Sequence, residues 1–257
     1  MKISTHQISV LNTLGISLRA FIVGLCLSSG GLQAQTLPLS ANLINLNSSQ
    51  GEQFLLTSQA RQDYLPLTLQ FVTQDNLAYC GVASIVMVLN ALSIPAPEAP
   101  EFRQYNIFTQ DNFFNERAKK VLSPEVVARQ GMTLEQLGQL LESYPVQAEV
   151  YHGADLTLEK FRSLVVKNLQ EPENFVLANY LRRTLGQERG GHISPIAAYN
   201  EATDRFLILD VSRYKYPPIW VKAEELWQAI RTVDSASEKT RGIVLVNRRS
   251  GSTTPSR

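Results

Sequence analysis

The clearest helical signal in the sequence is Cys80-Gly-Val-Ala-Ser-Ile-Val-Met-Val-Leu-Asn-Ala-Leu92. Its apolar residues at positions 82, 85, 86, 89 and 92 have the i, i+3, i+4, i+7 spacing of a buried helix face. The sequence therefore predicts a helix that begins at Cys80. A thiol at the start of a helix lies at the positive end of the helix dipole, which stabilises a thiolate. Cys80 is thus a candidate nucleophile.

Outside this helix, the pattern changes from helical in the first half to strand-rich in the second. Helices are predicted at 51–60, 133–143, 156–168 and 223–233, and strands at 148–152, 174–180, 192–199, 206–210 and 242–247. Thr133 is a plausible N-cap of the second of these helices. Residues 37–50 are expected to form a surface arm, and residues 101–118 a loop with short helical turns. Helices followed by an antiparallel meander predict an α+β fold.

The first 34 residues differ in composition from the rest. Lys2 and Arg19 are their only charged residues, and the apolar run 20–27 precedes small residues that end at Ala34. This pattern predicts a secretory signal peptide over residues 1–34 and export to the periplasm. The run is far shorter than the roughly 20 residues that span a bilayer, so no lasting membrane anchor is expected. Residues 35–248 are then the catalytic domain, and 249–257 a disordered tail.

Charge and cysteine content exclude several classes of protein. The 257 residues carry a net charge of +1, which becomes −1 if residues 1–34 are removed, so non-specific nucleic-acid binding is not supported. Of the two cysteines, Cys26 lies in the predicted signal peptide and would leave with it. A single remaining thiol at Cys80 forms neither an internal disulfide nor a thiolate-rich zinc site. No metal site is predicted.

A thiolate nucleophile needs an imidazole partner, and His152 and His192 are the two histidines beyond the predicted signal peptide. His152 stands where a strand gives way to a turn, and remains the alternative. His192 follows two glycines at the head of a predicted strand, and the next strand ends in Asp210, which can fix the imidazole tautomer. Asp204 is a rival for this role, but it is predicted at the tip of the intervening hairpin. The order Cys, His, Asp is typical of papain-like enzymes.

A further candidate lies upstream of the thiol. Gln74 is six residues before Cys80, so a loop could return its amide toward the sulfur. Together with the backbone N–H of Cys80, this amide could stabilise the oxyanion of a tetrahedral intermediate, a contribution of about 2.7–4 kcal/mol.

At these residues the sequence resembles the phytochelatin synthase family in three separate blocks. They are Gln74 with Ala-Tyr-Cys-Gly-Val-Ala-Ser at 78–84, Gly-His-Ile-Ser-Pro at 191–195 with Tyr199-Asn200, and Leu-Asp-Val-Ser-Arg-Tyr-Lys-Tyr-Pro-Pro at 209–218 with Trp220-Val221. The resemblance implies a papain-like fold, a triad of Cys80, His192 and Asp210, and Gln74 in the oxyanion hole. It also implies attack on the Cys–Gly bond of glutathione, with transfer of the acyl group to a second glutathione or to water.

The resemblance implies further properties. Arg182 matches an arginine that the family places near the substrate, and the family suggests a homodimer. Eukaryotic members carry a cysteine-rich region linked with heavy-metal response, whereas this sequence has no thiol after Cys80. No cofactor is expected, and a heavy-metal ion would act as a glutathione thiolate complex in the substrate. Two alternatives remain: a general papain-like cysteine peptidase of the cell envelope, and a non-catalytic glutathione- or peptide-binding protein.

Overall fold

A computed structural model describes residues 36–249 of the chain. These residues belong to one compact unit. The predicted signal peptide lies outside the described residues, as do residues 250–257 of the predicted tail. Between residues 36 and 249, no helix is long and apolar enough to cross a membrane.

The described residues form helices and strands in the following order. The helices are α1 (Ser49–Thr57), α2 (Tyr64–Leu69), α3 (Cys80–Ala91), α4 (Glu116–Val121), α5 (Pro124–Gln130), α6 (Leu134–Leu141), α7 (Leu158–Gln170) and α8 (Ala223–Ile230). The strands are β1 (Ile44–Asn45), β2 (Val146–His152), β3 (Asn174–Leu181), β4 (Gly191–Asn200), β5 (Arg205–Ile208), β6 (Ile219–Lys222), β7 (Val233–Asp234), β8 (Lys239–Thr240) and β9 (Gly242–Arg248). Single 3-10 turns occupy Gly153–Asp155 and Arg182–Leu185.

Seven of these strands form one antiparallel sheet in the order β1-β6-β5-β4-β3-β9-β2, and β7 pairs with β8 in a separate hairpin. Strands β3, β4 and β5 are neighbours in sequence and in the sheet, so the predicted meander is confirmed. The mixed helix and strand content with an antiparallel sheet is compatible with the predicted α+β class.

Helices cover both faces of the sheet. Along β3, Phe175 and Leu177 face the core that contains α3 and α6, whereas Val176 and Ala178 face the core formed with α7 and α8. Successive side chains of a strand point to opposite faces, so a sheet covered on both faces requires apolar residues at every position. This two-sided cover explains why β3 and β4 are buried at nearly every position rather than at alternate ones.

Helix α3 begins at Cys80, as its spacing predicts. The spacing predicted one buried face, but every residue from Gly81 to Leu89 is buried. The reason is tertiary, because α3 packs between the sheet at β4 and the surrounding helices, including α2. The Ser84 hydroxyl lies 3.2 Å from the carbonyl of Ile193 and connects the first turns of α3 to β4.

Several short elements were missed by the sequence reading. The expected surface arm 37–50 contains β1, which pairs with β6 at the sheet edge, and Leu43 beside it is buried. This part of the arm prediction is therefore wrong. Helix α5 has a start signal in the sequence, Ser123 as N-cap before Pro124. Helices α2 and α4 have six residues each, too few for a periodic pattern to identify.

Candidate active site

Cys80 is the first residue of α3 and is partly exposed. Among the described side chains none caps the N-terminus of α3, so its first-turn N–H groups stay available to an anion. A Cβ placed on the next residue, Gly81, would lie 2.4 Å from Sδ of Met132. The glycine therefore allows Met132 to pack directly beside the thiol.

His192 lies in hydrogen-bonding contact with the Cys80 thiol. Its Nε2 is 2.9 Å from Oδ1 of Asp210 and 2.9 Å from Oγ of Ser194. Because these two oxygens surround Nε2, Nδ1 is the ring nitrogen that remains for the thiol. The Tyr180 ring packs edge-on against the imidazole with 5.6 Å between ring centroids. The imidazole is held on three sides, with only 4% of the residue exposed.

A backbone irregularity brings Asp210 to His192. Pro195 within β4 has no N–H, and the pairing of β4 with β5 shifts register between Ile196 and Ala198. Strand β5 ends at Ile208, two residues before the predicted end at Asp210. The chain nevertheless continues beside β4, because Leu209 N–H donates to the Pro195 carbonyl at 3.0 Å.

Asp210 is fully buried and accepts an unusually large number of hydrogen bonds. The Arg182 guanidinium binds it through two bonds, Nη1 to Oδ2 at 2.7 Å and Nη2 to Oδ1 at 2.8 Å. The backbone N–H of Ser212 donates to Oδ1 at 2.8 Å, beside the imidazole contact. This set of donors fixes the carboxylate in the ionised form.

The charges around the thiol favour a thiolate–imidazolium pair. Burial opposes ionisation of Cys80, but the hydrogen bond and charge of His192, assisted by the charge of Arg182, lower the pKa of the thiol. Burial lowers the pKa of His192, but the charge and hydrogen bond of Asp210, together with the hydrogen bond to Cys80, leave that pKa raised. Burial raises the pKa of Asp210, yet His192 and Arg182 hold it well below its usual range. A lowered thiol pKa beside a raised imidazole pKa is the arrangement that activates a cysteine nucleophile.

Gln74 is buried beside the same residues. Its Oε1 accepts from Oγ of Ser212 at 2.6 Å, and its Nε2 donates to the carbonyl of Asn76 at 2.6 Å. The amide carries two hydrogens on Nε2, so the bond to Asn76 uses one of them. Ser212 therefore fixes the orientation of Gln74 and links it to Asp210.

Arg182, which the family resemblance suggests as a substrate ligand, lies against Asp210. It was expected to bind substrate carboxylates, but the residue is 3% exposed and both of its Nη atoms donate to Asp210. Nη1 also donates to Oε1 of Gln187 at 2.8 Å. The geometry gives the guanidinium a partner within the protein, so direct substrate binding by Arg182 has no support from these contacts.

The two rival residues lie in other interactions. His152 Nε2 is 3.2 Å from Oε1 of Glu135, and Nδ1 is 2.6 Å from the Thr240 carbonyl. Asp204 stands in the turn between β4 and β5 with φ of 51° and accepts two 2.8 Å bonds from Arg162. The structure thus brings Asp210, and not Asp204, to His192.

A cavity of about 890 Å³ opens beside the thiol. Cys80 and His192 line it together with Arg241, which is 8% exposed. Nη1 of Arg241 donates to Oδ1 of Asn179 at 2.9 Å and is 3.4 Å from Oδ2 of Asp234, whereas its buried Nε has no hydrogen-bond partner among the described residues. The cavity volume is within the range of about 300–1,000 Å³ that is typical of small-molecule sites.

A glycine creates the space for this arginine. A Cβ at Gly191 would lie 2.3 Å from Nη1 of Arg241. The sequence places two glycines directly before His192 but does not indicate which side chain fills the space beside them. Arg241, Ser194 and Ser212 were all missed, because a single arginine or serine carries no local signal.

Within residues 36–249, no three or more His, Cys, Asp or Glu side chains cluster in a way that could hold a metal ion. The expectation that the protein has no metal site remains a prediction.

Comparison with known proteins identifies one family. A family model described as phytochelatin synthase matches residues 34–243. The chain is 32% identical over 226 residues to glutathione gamma-glutamylcysteinyltransferase 1 of Lotus japonicus, covering 86% of this chain and 44% of that protein. It is 33% identical over 228 residues to the protein of the same name from Arabidopsis thaliana, covering 86% and 45%. A Schizosaccharomyces pombe glutathione gamma-glutamylcysteinyltransferase is 30% identical over 188 residues, covering 72% and 43%. The chain spans less than half the length of these relatives.

Proposed function

The chain belongs to the phytochelatin synthase family, and on that premise we propose that it is a cysteine-dependent glutathione γ-glutamylcysteinyltransferase with papain-like chemistry. The proposal rests above all on the Cys80–His192–Asp210 arrangement at the wall of the cavity. This arrangement combines a nucleophile at a helix start, a base in contact with it and a buried orienting carboxylate. The names of the relatives supply the substrate class.

In the first step, the Cys80 thiolate attacks the carbonyl carbon of the Cys–Gly bond of glutathione. The backbone N–H of Cys80 and the second hydrogen of Gln74 Nε2 stabilise the oxyanion of the tetrahedral intermediate. Protonated His192 then donates its proton to the departing amine. Glycine leaves, and a γ-glutamylcysteinyl thioester remains on Cys80.

In the second step, neutral His192 accepts a proton from the acceptor as it attacks the thioester carbonyl. The acceptor is the amine of a second glutathione, which yields phytochelatin, or water, which yields γ-glutamylcysteine. The thiolate leaves and the imidazolium forms again, so both steps balance. A heavy-metal ion would enter with the substrate, as a glutathione thiolate complex.

Arg241 and Asp234 suit the γ-glutamyl end of the substrate. That end carries an α-carboxylate and an α-amine, which need a cation and an anion at short range. The Arg241 guanidinium, which lines the cavity, can donate to the carboxylate, and the Asp234 carboxylate in the same wall can accept from the amine. The buried position of Arg241 strengthens these interactions, because little water screens them.

The test measures glycine release from glutathione, with and without cadmium, and identifies the products by mass spectrometry. We expect glycine release by the native protein and none by Cys80→Ala. The peptide α-Glu-Cys-Gly serves as a matched substrate, because it shifts the carboxylate that Arg241 would bind, and it should react much more slowly. Absence of glycine under both metal conditions would refute the proposal, and faster cleavage of casein than of glutathione would favour a general peptidase.

Export and dimer formation also remain proposals. Export rests on the composition of residues 1–34, which lie outside the described residues. N-terminal sequencing of the protein recovered from the periplasm tests it, and an intact Met1 would contradict it. Sedimentation of the purified protein tests the homodimer that the family resemblance suggests.

A further inference from the structure

The Asp210 carboxylate, which orients His192, is paired with the positively charged guanidinium of Arg182. Arg182 follows β3 in the 3-10 turn Arg182–Leu185, and its guanidinium meets Asp210 through two parallel bonds of 2.7 and 2.8 Å. Both residues are buried, with 3% and 0% exposure. A buried bidentate pair of this kind is strongly coupled, because no solvent screens it and the fork geometry matches the carboxylate.

The other contacts of Arg182 carry no negative charge. Gln187 accepts one bond, and the ring of Tyr216 lies 5.1 Å from the guanidinium carbon. Within the described residues, Asp210 is the acidic side chain that forms an ion pair with Arg182. His192 therefore faces a carboxylate whose charge is already offset, while the oxygen that accepts from Nε2 stays in place.

We infer that Arg182 is a positioning residue that neutralises Asp210 and thereby sets the pH range in which the Cys80–His192 pair reacts. This inference rests on the proposed function of the same residues. Asp210 then acts as a hydrogen-bond acceptor whose negative charge is partly offset by Arg182, rather than as an unpaired carboxylate.

Several titratable and charged groups face His192 and Asp210 from the surrounding elements. They are Cys80 of α3, Tyr180 of β3, Arg182 of the following turn, Tyr216 of the segment before β6, and Arg241, which precedes β9 and interacts with the thiol. Of these, Arg182 lowers the pKa of both Cys80 and His192. At Cys80 its effect follows those of burial, His192 and the Ile193 backbone, and at His192 it follows those of burial and the charge of Asp210. Loss of Arg182 should therefore raise the pKa of both members of the pair.

The experiment uses two readouts in a Cys26→Ser background, in which Cys80 is the only thiol. The rate of iodoacetamide alkylation against pH reports thiolate formation without glutathione, and glycine release against pH reports turnover. The variants are R182M, D210N, the double variant R182M/D210N, and R183M as the control at the exposed neighbour. Failure of glycine release in the native protein would refute the proposed function, but the alkylation profile would still test this inference.

Each plot of rate against pH has an acidic limb and a basic limb. In R182M we expect both limbs to move to higher pH, by about one unit or more. In D210N we expect the basic limb to move to lower pH, because the unpaired guanidinium destabilises the imidazolium. The double variant should return toward the native limbs, since the amide still accepts from Nε2 and no buried charge is left unpaired. R183M should match the native protein.

Two results would overturn the inference. In one, R182M folds and both limbs of its pH profiles coincide with those of the native protein. In the other, the basic limb of the double variant coincides with that of D210N. If R182M does not fold, as judged by near-UV circular dichroism, the decision passes to R182K and the double variant. R182K keeps the charge but loses the fork, so the inference expects native limbs with a reduced kcat. Limbs displaced upward in R182K would contradict it.

Discussion

A buried carboxyl that has no part in the candidate active site allows a quantitative test of the structure. Asp63 precedes α2 and is 1% exposed, and its Oδ2 has no hydrogen-bond partner among the described residues. Burial raises the pKa of Asp63 from 3.8 to about 9. No described cation is near enough to offset that burial, so ionisation of Asp63 should destabilise the fold.

The sign and size of this destabilisation follow from the linkage between proton binding and folding. Because the folded pKa lies above the unfolded one, the folded state binds the proton more tightly, and this stabilisation is complete below pH 3.8 and lost as pH rises toward about 9. Each pH unit in this window costs about 1.4 kcal/mol of unfolding free energy. At pH 7 the accumulated loss is about 4 kcal/mol.

The perturbation is D63N, which is neutral at every pH. Urea unfolding of D63N and the native protein between pH 5 and pH 8 gives the difference in unfolding free energy, in which all other titrating groups cancel. We expect D63N to gain on the native protein by about 1.4 kcal/mol per pH unit. The same change at the exposed Asp155 is the control. If the D63N difference is flat across this range, or matches that of D155N, then Asp63 is not the unpartnered carboxyl described here.

Three further predictions concern the active site. G81A should raise KM, because its new methyl group would lie 2.4 Å from Sδ of Met132 and push that side chain toward the cavity, and G81A/M132A should restore the native value. S212A should lower kcat by about tenfold, less than the roughly 10²–10³-fold cost of losing an oxyanion donor, because Gln74 loses the 2.6 Å bond that orients it. D204A should leave glycine release unchanged and cost at most about 1 kcal/mol of stability, since its ion pair is partly exposed.

Each of these predictions has a clear opposing result. Failure of M132A to rescue G81A would show that the methyl group acts on the thiol by another route. An unchanged kcat in S212A, measured with saturating glutathione, would argue against a role for Gln74. A large loss of glycine release in D204A with a native melting temperature would return Asp204 to the candidate orienters.

Much of the fold follows from local sequence because its long elements have strong periodic patterns. Helix α3 starts where the apolar spacing starts, and Thr133 forms the full capping box of α6 with Gln136. Strand β1 could not be predicted, since its two residues are a strand only because β6 pairs with them. The burial of α3 on all sides also depends on neighbours that are distant in sequence.

Local sequence patterns specify the chemistry that is available beyond residue 34: a thiol at a helix start, two histidines to choose between, and the family to which their surroundings belong. The tertiary structure decided the partners. It brought Asp210 to Nε2 of His192 past the end of β5, turned Arg182 from an expected substrate ligand into the counterion of Asp210, and placed Arg241 at the cavity. The reason is physical, because the position of a buried charge is set by what surrounds it in space, and those contacts join residues that no local pattern relates.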